Sequence, residues 1–314
     1  MALIVALPIH GFASPLDSNL LPLVPAGAQI VAGIEDPHNP GSKGRLLLVT
    51  HNNNLDFYDW VSLVGVDAHR EVDEVIEVAA SSSREELTEH LLLVAGRFDR
   101  EYIFRAAARN GLATSEYEGE KVLLVKPFAR EQQEMLDTRW MAILNDRIAI
   151  FGTPWLVKKA LERNAAHASA DTLLLNRLAQ LPPDVNSWNV LVMSSPMLAR
   201  HIAAEQLHAP WAHILDGAND LTVGIHYGPK ARVDFALRTD NNPQSAYLAS
   251  VLAQPHLLQI SLSQTFRPQI VSLSSEQRRV QGSITLPGKQ FDAWLARVYH
   301  SRSPTSVSDT AGAR

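Results

Sequence analysis

Cysteine is absent from the 314 residues. That one omission removes disulfides, thiolate zinc sites, iron–sulfur clusters and cysteine nucleophiles together. It leaves the compartment open, because a chain able to bury a large core needs no disulfides in any compartment. An excess of basic charge is lacking too. The formal net charge is −5 and no block is rich in Lys or Arg, so composition predicts no nucleic-acid partner. No run reaches the ~18 apolar residues of a membrane-spanning helix. The glycine patterns of common chemistries are missing as well. "GIHYGPK" (224–230) lacks the spacing and the Ser/Thr of a phosphate-binding loop, and neither Gly-x-Ser-x-Gly nor Gly-x-Gly-x-x-Gly occurs.

What is present is ordinary for a globular chain: 46% apolar and 19% charged residues. The length predicts two domains, or one domain with a repeated half. The first residues, "MALIVALPIHGFASPLDSN" (1–19), carry an apolar run and then small residues at Gly11 and Ala13. A signal peptide cleaved after Ala13 has this form and would make the protein periplasmic or exported. The basic leading segment is missing, so a buried N-terminal strand of a cytoplasmic protein is the competing reading.

Along the first half, "AQIVAGIE" (28–35) and "RLLLVTH" (45–51) read as strands, and Phe57, Trp60, Val61 and Val64 mark one face of a helix over 55–65. "DEVIEVAAS" (73–81) and "HLLLVAGRF" (90–98) pair around a polar link. "DREYIFRAAARNG" (99–111) reads as a helix capped by Asp99. Hairpins follow, turned at "EGE" and at Asn145-Asp146, then a helix over 153–164 with Thr153 as cap and Pro154 in the first turn. The second half follows a similar order. It has a strand over 187–195, a helix over 196–206, a strand pair turned at Gly228-Pro229, and an Asp-capped helix over 240–254. The hairpin "PQIVSLSS"/"RRVQGSITL" and a helix over 288–299 complete it.

These orders predict an α+β protein of two tandem ferredoxin-like (split β-α-β) halves, antiparallel sheets with helices packed on one face. The halves span 20–166 and 167–300, divided near "AAHASAD" (165–171), with a disordered tail over 301–314. Side-by-side domains and one shared sheet are both compatible with the pattern.

One set of residues carries a likeness. Gly65-Val66-Asp67-Ala68 with Arg70 and Asp73 is followed by Gly96-Arg97-Phe98-Asp99, then Tyr117-Glu118-Gly119, then Gly152 before a helix. In this the chain, over roughly 20–165, resembles a group of uncharacterised bacterial proteins that are often exported, although the Pro of that group's Gly-Phe-Asp-Pro element is absent here. The resemblance implies a duplicated α+β fold and export; it implies no activity.

Two polar clusters are candidates for chemistry. His51, Asp56 and Asp59, in "HNNNLDFYDW", offer an imidazole and two carboxylates for metal binding or acid–base work. The plainer reading makes Asn54 a helix cap, Asp56 a partner of the helix dipole, and Asp59 a solvated side chain. His201, Glu205 and His208 fall at i, i+4 and i+7, with His213 nearby, a spacing that can hold zinc. Here the plainer reading is the polar face of an Ala-rich helix, which would have to persist to within two residues of Pro210. The favoured function is a non-catalytic interaction or ligand-binding protein that needs no cofactor. It would take a protein or small-molecule partner, with no nucleic acid and no membrane span. The alternatives are a metal-dependent hydrolase using zinc at the His/Glu cluster, and a small-molecule binder with its pocket between the halves.

Overall fold

The computed structural model describes residues 15–35, 64–81, 88–125, 139–192, 218–254 and 269–291. Two short 3-10 turns, Pro15–Asp17 and Leu21–Leu23, precede β1 (Ile30–Glu35). Then come α1 (Ala68–Glu71), β2 (Val72–Ser81), β3 (Thr88–Gly96), α2 (Arg100–Arg109), β4 (Ala113–Tyr117), β5 (Glu120–Val125), β6 (Arg139–Ile143) and β7 (Ile148–Gly152). The later elements are α3 (Pro154–Ala165), α4 (Thr172–Leu178), β8 (Ser187–Val192), β9 (Ala218–His226), β10 (Lys230–Thr239), α5 (Asn242–Leu252), β11 (Gln269–Glu276) and β12 (Arg279–Pro287).

The strands make one twelve-stranded sheet in the order β11-β12-β10-β9-β8-β1-β2-β3-β7-β6-β5-β4. Its pairings are antiparallel throughout the described residues. This overturns the expectation of two ferredoxin-like α+β halves. In a split β-α-β unit the strands flanking a crossover run the same way with one strand between them. Here β1 and β2 are direct antiparallel neighbours, as are β8 and β9, and three strands separate β3 from β4. Among the described residues, only β10–α5–β11, with β12 between, has the split arrangement locally. The halves share one sheet through β1–β8, where Ile30–Ile34 pair with Leu191–Ser187.

Nor do the helices share one face. The run "LLLVAG" (91–96) on β3 is apolar without interruption because both of its faces are covered. Leu91 and Leu93 pack with Leu156, Val157, Ala160 and Leu161 of α3. Leu92 and Val94 pack on the other side with Ile103 and Ala107 of α2. Further along, Leu248 and Leu252 of α5 pack on Leu237 and Val280.

Local chemistry accounts for many of the boundaries. Asp99 accepts a hydrogen bond from the Tyr102 amide at 2.9 Å, starting α2 as its residue type predicts. Glu118 (φ 52°) and Gly119 (φ 77°) are both left-handed, the backbone of a tight hairpin turn between β4 and β5. Asn145 Oδ1 accepts from the Arg147 and Ile148 amides at 2.8 and 2.9 Å, closing the β6–β7 loop. Two expected caps differ. Thr153 makes no cap hydrogen bond; the residue is buried and its hydroxyl donates to the His90 carbonyl at 3.4 Å. For α5 the cap is Asn241, which accepts from the Gln244 amide at 2.9 Å, rather than Asp240.

The join between the halves is packed by Trp188. Its cross-strand neighbours are Gly33 on β1 and Gly224 on β9. The indole lies over Gly33 so closely that a methyl group there would overlap the ring. The space over Gly224 is taken instead by Val185 and Leu181, so both glycines make room for bulky neighbours where β1, β8 and β9 pack together.

Candidate functional site

A polar pocket of about 490 Å³ opens at the end of the sheet where β9 starts, β10 ends and β11 turns into β12. It is lined by Gln180, Asn219, Arg238, Thr239, Asp240, Gln277, Arg278 and Arg279. Three guanidiniums thus face one carboxylate in a chain whose overall charge is negative.

Asp220, on β9, anchors the site. Its side chain is 3% exposed, and Oδ2 accepts from Arg177 Nη2 of α4 at 3.2 Å and from Arg238 Nη2 at 2.6 Å. A buried carboxylate shared by two guanidiniums is compensated rather than costly, and it holds Arg238 in one orientation. Asn219 Nδ2 donates to Asp240 Oδ1 at 2.7 Å. Asp240 is available for this contact because Asn241, not Asp240, caps α5.

The floor is the turn Gln277-Arg278, whose φ angles of 43° and 65° are both left-handed. Asn-Gly is the usual choice for such a turn, and each non-glycine residue there costs on the order of 1 kcal/mol. The turn is clamped from β10: the Thr239 amide donates to the Arg278 carbonyl at 2.7 Å, and the Thr239 hydroxyl reaches the same oxygen at 3.1 Å. Among the described residues the side chains of Arg278 and Arg279 have no ion-pair partner. Two guanidiniums on a clamped turn, beside a third held by Asp220, form a site suited to carboxylate or phosphate oxygens.

A second charged group lies farther along the same face of β10. Arg232 bonds Asp184 Oδ1 at 2.5 Å and Asp234 Oδ2 at 2.8 Å. His226 Nδ1 lies 2.7 Å from the Asp184 carbonyl oxygen. Burial raises the Asp184 carboxyl, but the Arg232 hydrogen bond and charge prevail and hold it below the usual range. These charges are already paired with one another. Glu77 and His90 form another half-buried pair at 3.4 Å, between β2 and β3.

The residues singled out from sequence sit elsewhere. His51, Asp56, Asp59, His201, Glu205, His208 and His213 all lie outside the described residues. Among the described residues no group of three or more His, Asp or Glu side chains is placed to hold a metal ion. No described helix is long and apolar enough to cross a membrane, which says nothing about strands. The pocket belongs wholly to the second half and does not lie between the halves. Sequence reasoning passed over Arg238, Arg278 and Arg279 because they are scattered and look like strand residues. The available signal was "QRR" at a hairpin tip where glycine or asparagine is expected.

No family model matches the chain, and no curated protein matches it. One solved structure, that of TP0453 in its crystal form I, is similar over 88% of this chain and 96% of that one, at 11% identity and a TM-score of 0.48. A likeness of that degree lends no support to any function.

Proposed function

We propose that the protein is a non-catalytic binding protein whose pocket takes an anionic ligand bearing carboxylate or phosphate groups. The observation that carries this reading is the convergence of Arg238, Arg278 and Arg279 on one cavity, with Arg238 held by the buried Asp220. The volume suits a small polar ligand or part of a larger one. Guanidinium forks match paired oxygens, and Asp220 orients Arg238 while Thr239 holds the main chain of the turn, which lowers the entropy lost on binding. The lining supplies charge and hydrogen-bond donors. Thr239, the only hydroxyl among the lining residues, has its one proton within reach of two main-chain carbonyls, Asn241 at 2.9 Å and Arg278 at 3.1 Å.

Citrate and inorganic phosphate are suitable probes by titration calorimetry. The wild-type protein is expected to bind citrate, more weakly as salt rises. Arg278→Ala with Arg279→Ala should weaken that binding by about tenfold or more, since charge-assisted hydrogen bonds contribute ~1.5–3 kcal/mol each. Equal citrate affinity in the folded double variant, or no binding to the wild type at millimolar concentration, overturns the proposal.

A further inference from the structure

We infer that the anion site is one end of a longer docking site, in which the outer edge of β11 pairs with an extended acidic peptide. The inference rests on the anion-binding reading and names the ligand class. Among the described residues, β11 is the outermost strand on its side of the sheet and pairs only with β12. It is eight residues long, "QIVSLSSE", with no charge before Glu276 and no proline. Natural edges are normally blunted by lysine, proline, short length or a bulge. β11 uses only the last of these. Its register shifts between Ile270 and Ser272, leaving Val271 63% exposed, and it then runs regularly from Ser272 to Glu276 against Ser283 to Arg279. The opposite edge, β4, is shorter, at five residues, and carries a charge within its span at Glu116.

The regular part of this edge ends at the turn that supplies Gln277, Arg278 and Arg279 to the pocket. A strand added here would pair its main chain with Ser272–Glu276 and run on into the basic corner. Antiparallel pairing places the N-terminal end of the added strand beside Glu276 and the turn. The complementary peptide is therefore acidic at its N-terminal end and apolar and β-branched further on, where it meets Ile270 and Val271. Glu276 is the one acid on this edge, and Arg279 across from it in the ladder and Arg278 in the turn outnumber it. A chain of net charge −5 repels acidic partners in general; this corner is where one is attracted, and the attraction fixes its direction.

The test uses the whole protein and a fluorescein-labelled peptide, Asp-Glu-Glu-Thr-Val-Thr-Val-Thr, followed by anisotropy. Expected are saturable binding, competition by citrate, a loss of about tenfold or more in Arg278→Glu, and a clear loss in Val271→Lys. The same peptide with alternate amides N-methylated keeps every charge but cannot complete a ladder, so it should bind far more weakly, as should the peptide with its acidic end at the C-terminus. Equal binding of the N-methylated or reversed peptide overturns strand pairing. Citrate binding without peptide binding leaves the anion site standing and removes the docking inference. Peptide binding that ignores Arg278→Glu removes the role of the basic corner, and absence of both ligands removes both readings.

Discussion

Asp220 carries one negative charge between two guanidiniums, and its replacement exposes what that arrangement costs. Asp220→Asn leaves Arg177 and Arg238 facing each other without a counter-charge. Because Arg238 is half-exposed and partly screened, the expected loss is about 1.5 kcal/mol, at the lower end for charged hydrogen bonds, read from the urea midpoint. Gly33 is constrained by volume instead. Gly33→Ala drives a methyl into the Trp188 ring and should cost about 1–3 kcal/mol in the same experiment. Wild-type stability in that variant would mean the indole can move aside. Glu74 behaves differently again. Burial raises its carboxyl above the ordinary value of 4.5, against a smaller opposing effect from its Ser18 hydrogen bond. A carboxyl raised in the folded state favours folding fully below its unfolded pKa, and that contribution is lost as pH rises through the folded pKa. Glu74→Gln stays neutral throughout. Its melting temperature should therefore exceed the wild type's at pH 7, and the gap should close below pH 4.5. A gap independent of pH would rule out this origin.

At the scale of elements, the turn Gln277-Arg278 sets stability against function. Changing it to Asn-Gly puts the pair that best accepts left-handed angles at the tip and should stabilise the protein by about 1 kcal/mol while weakening citrate binding. A variant that is both more stable and fully competent to bind would show that Arg278 is not part of the site. The hairpin itself was legible: "PQIVSLSS" and "RRVQGSITL" read as two strands from alternation alone. Its chemistry was hidden, because no glycine marked the left-handed tip and Arg279 counts equally well as a strand residue. Capping misled in a related way. An aspartate before a helix is a sound prediction, as Asp99 shows, but Asn241 takes that role for α5 and leaves Asp240 to line the pocket. α4 was missed altogether. Its seven residues are short, and they follow the small polar segment read as a boundary, whose last residue, Asp171, is the helix cap.

For the whole molecule, alternation located most of the described strands but could not order them. Period-two patterning says which residues share a face; it does not say which edges meet. Hairpin neighbours such as β4–β5 and β6–β7 follow from their turns. The β3–β7 and β1–β8 pairings depend on which long-range edges remain free, and no local residue encodes that. The same limit applies to the site, whose arginines come from β10 and the β11–β12 hairpin and converge only once the sheet is ordered.

The β1–β8 seam also bears on how the chain reaches this state. Most pairings in each half join strands that are close in sequence and can form early, whereas the seam must bring Ile30–Ile34 to a strand that begins at Ser187. Contacts of such sequence separation form late. At about 5–20 residues per second, the ribosome takes some 2–8 seconds to pass from β7 to the end of β8. During that interval one edge of β1, an apolar run with a single terminal acid, has no partner of its own. The centre of the finished sheet is thus a free edge of the growing one, and a place where a second nascent chain could pair wrongly.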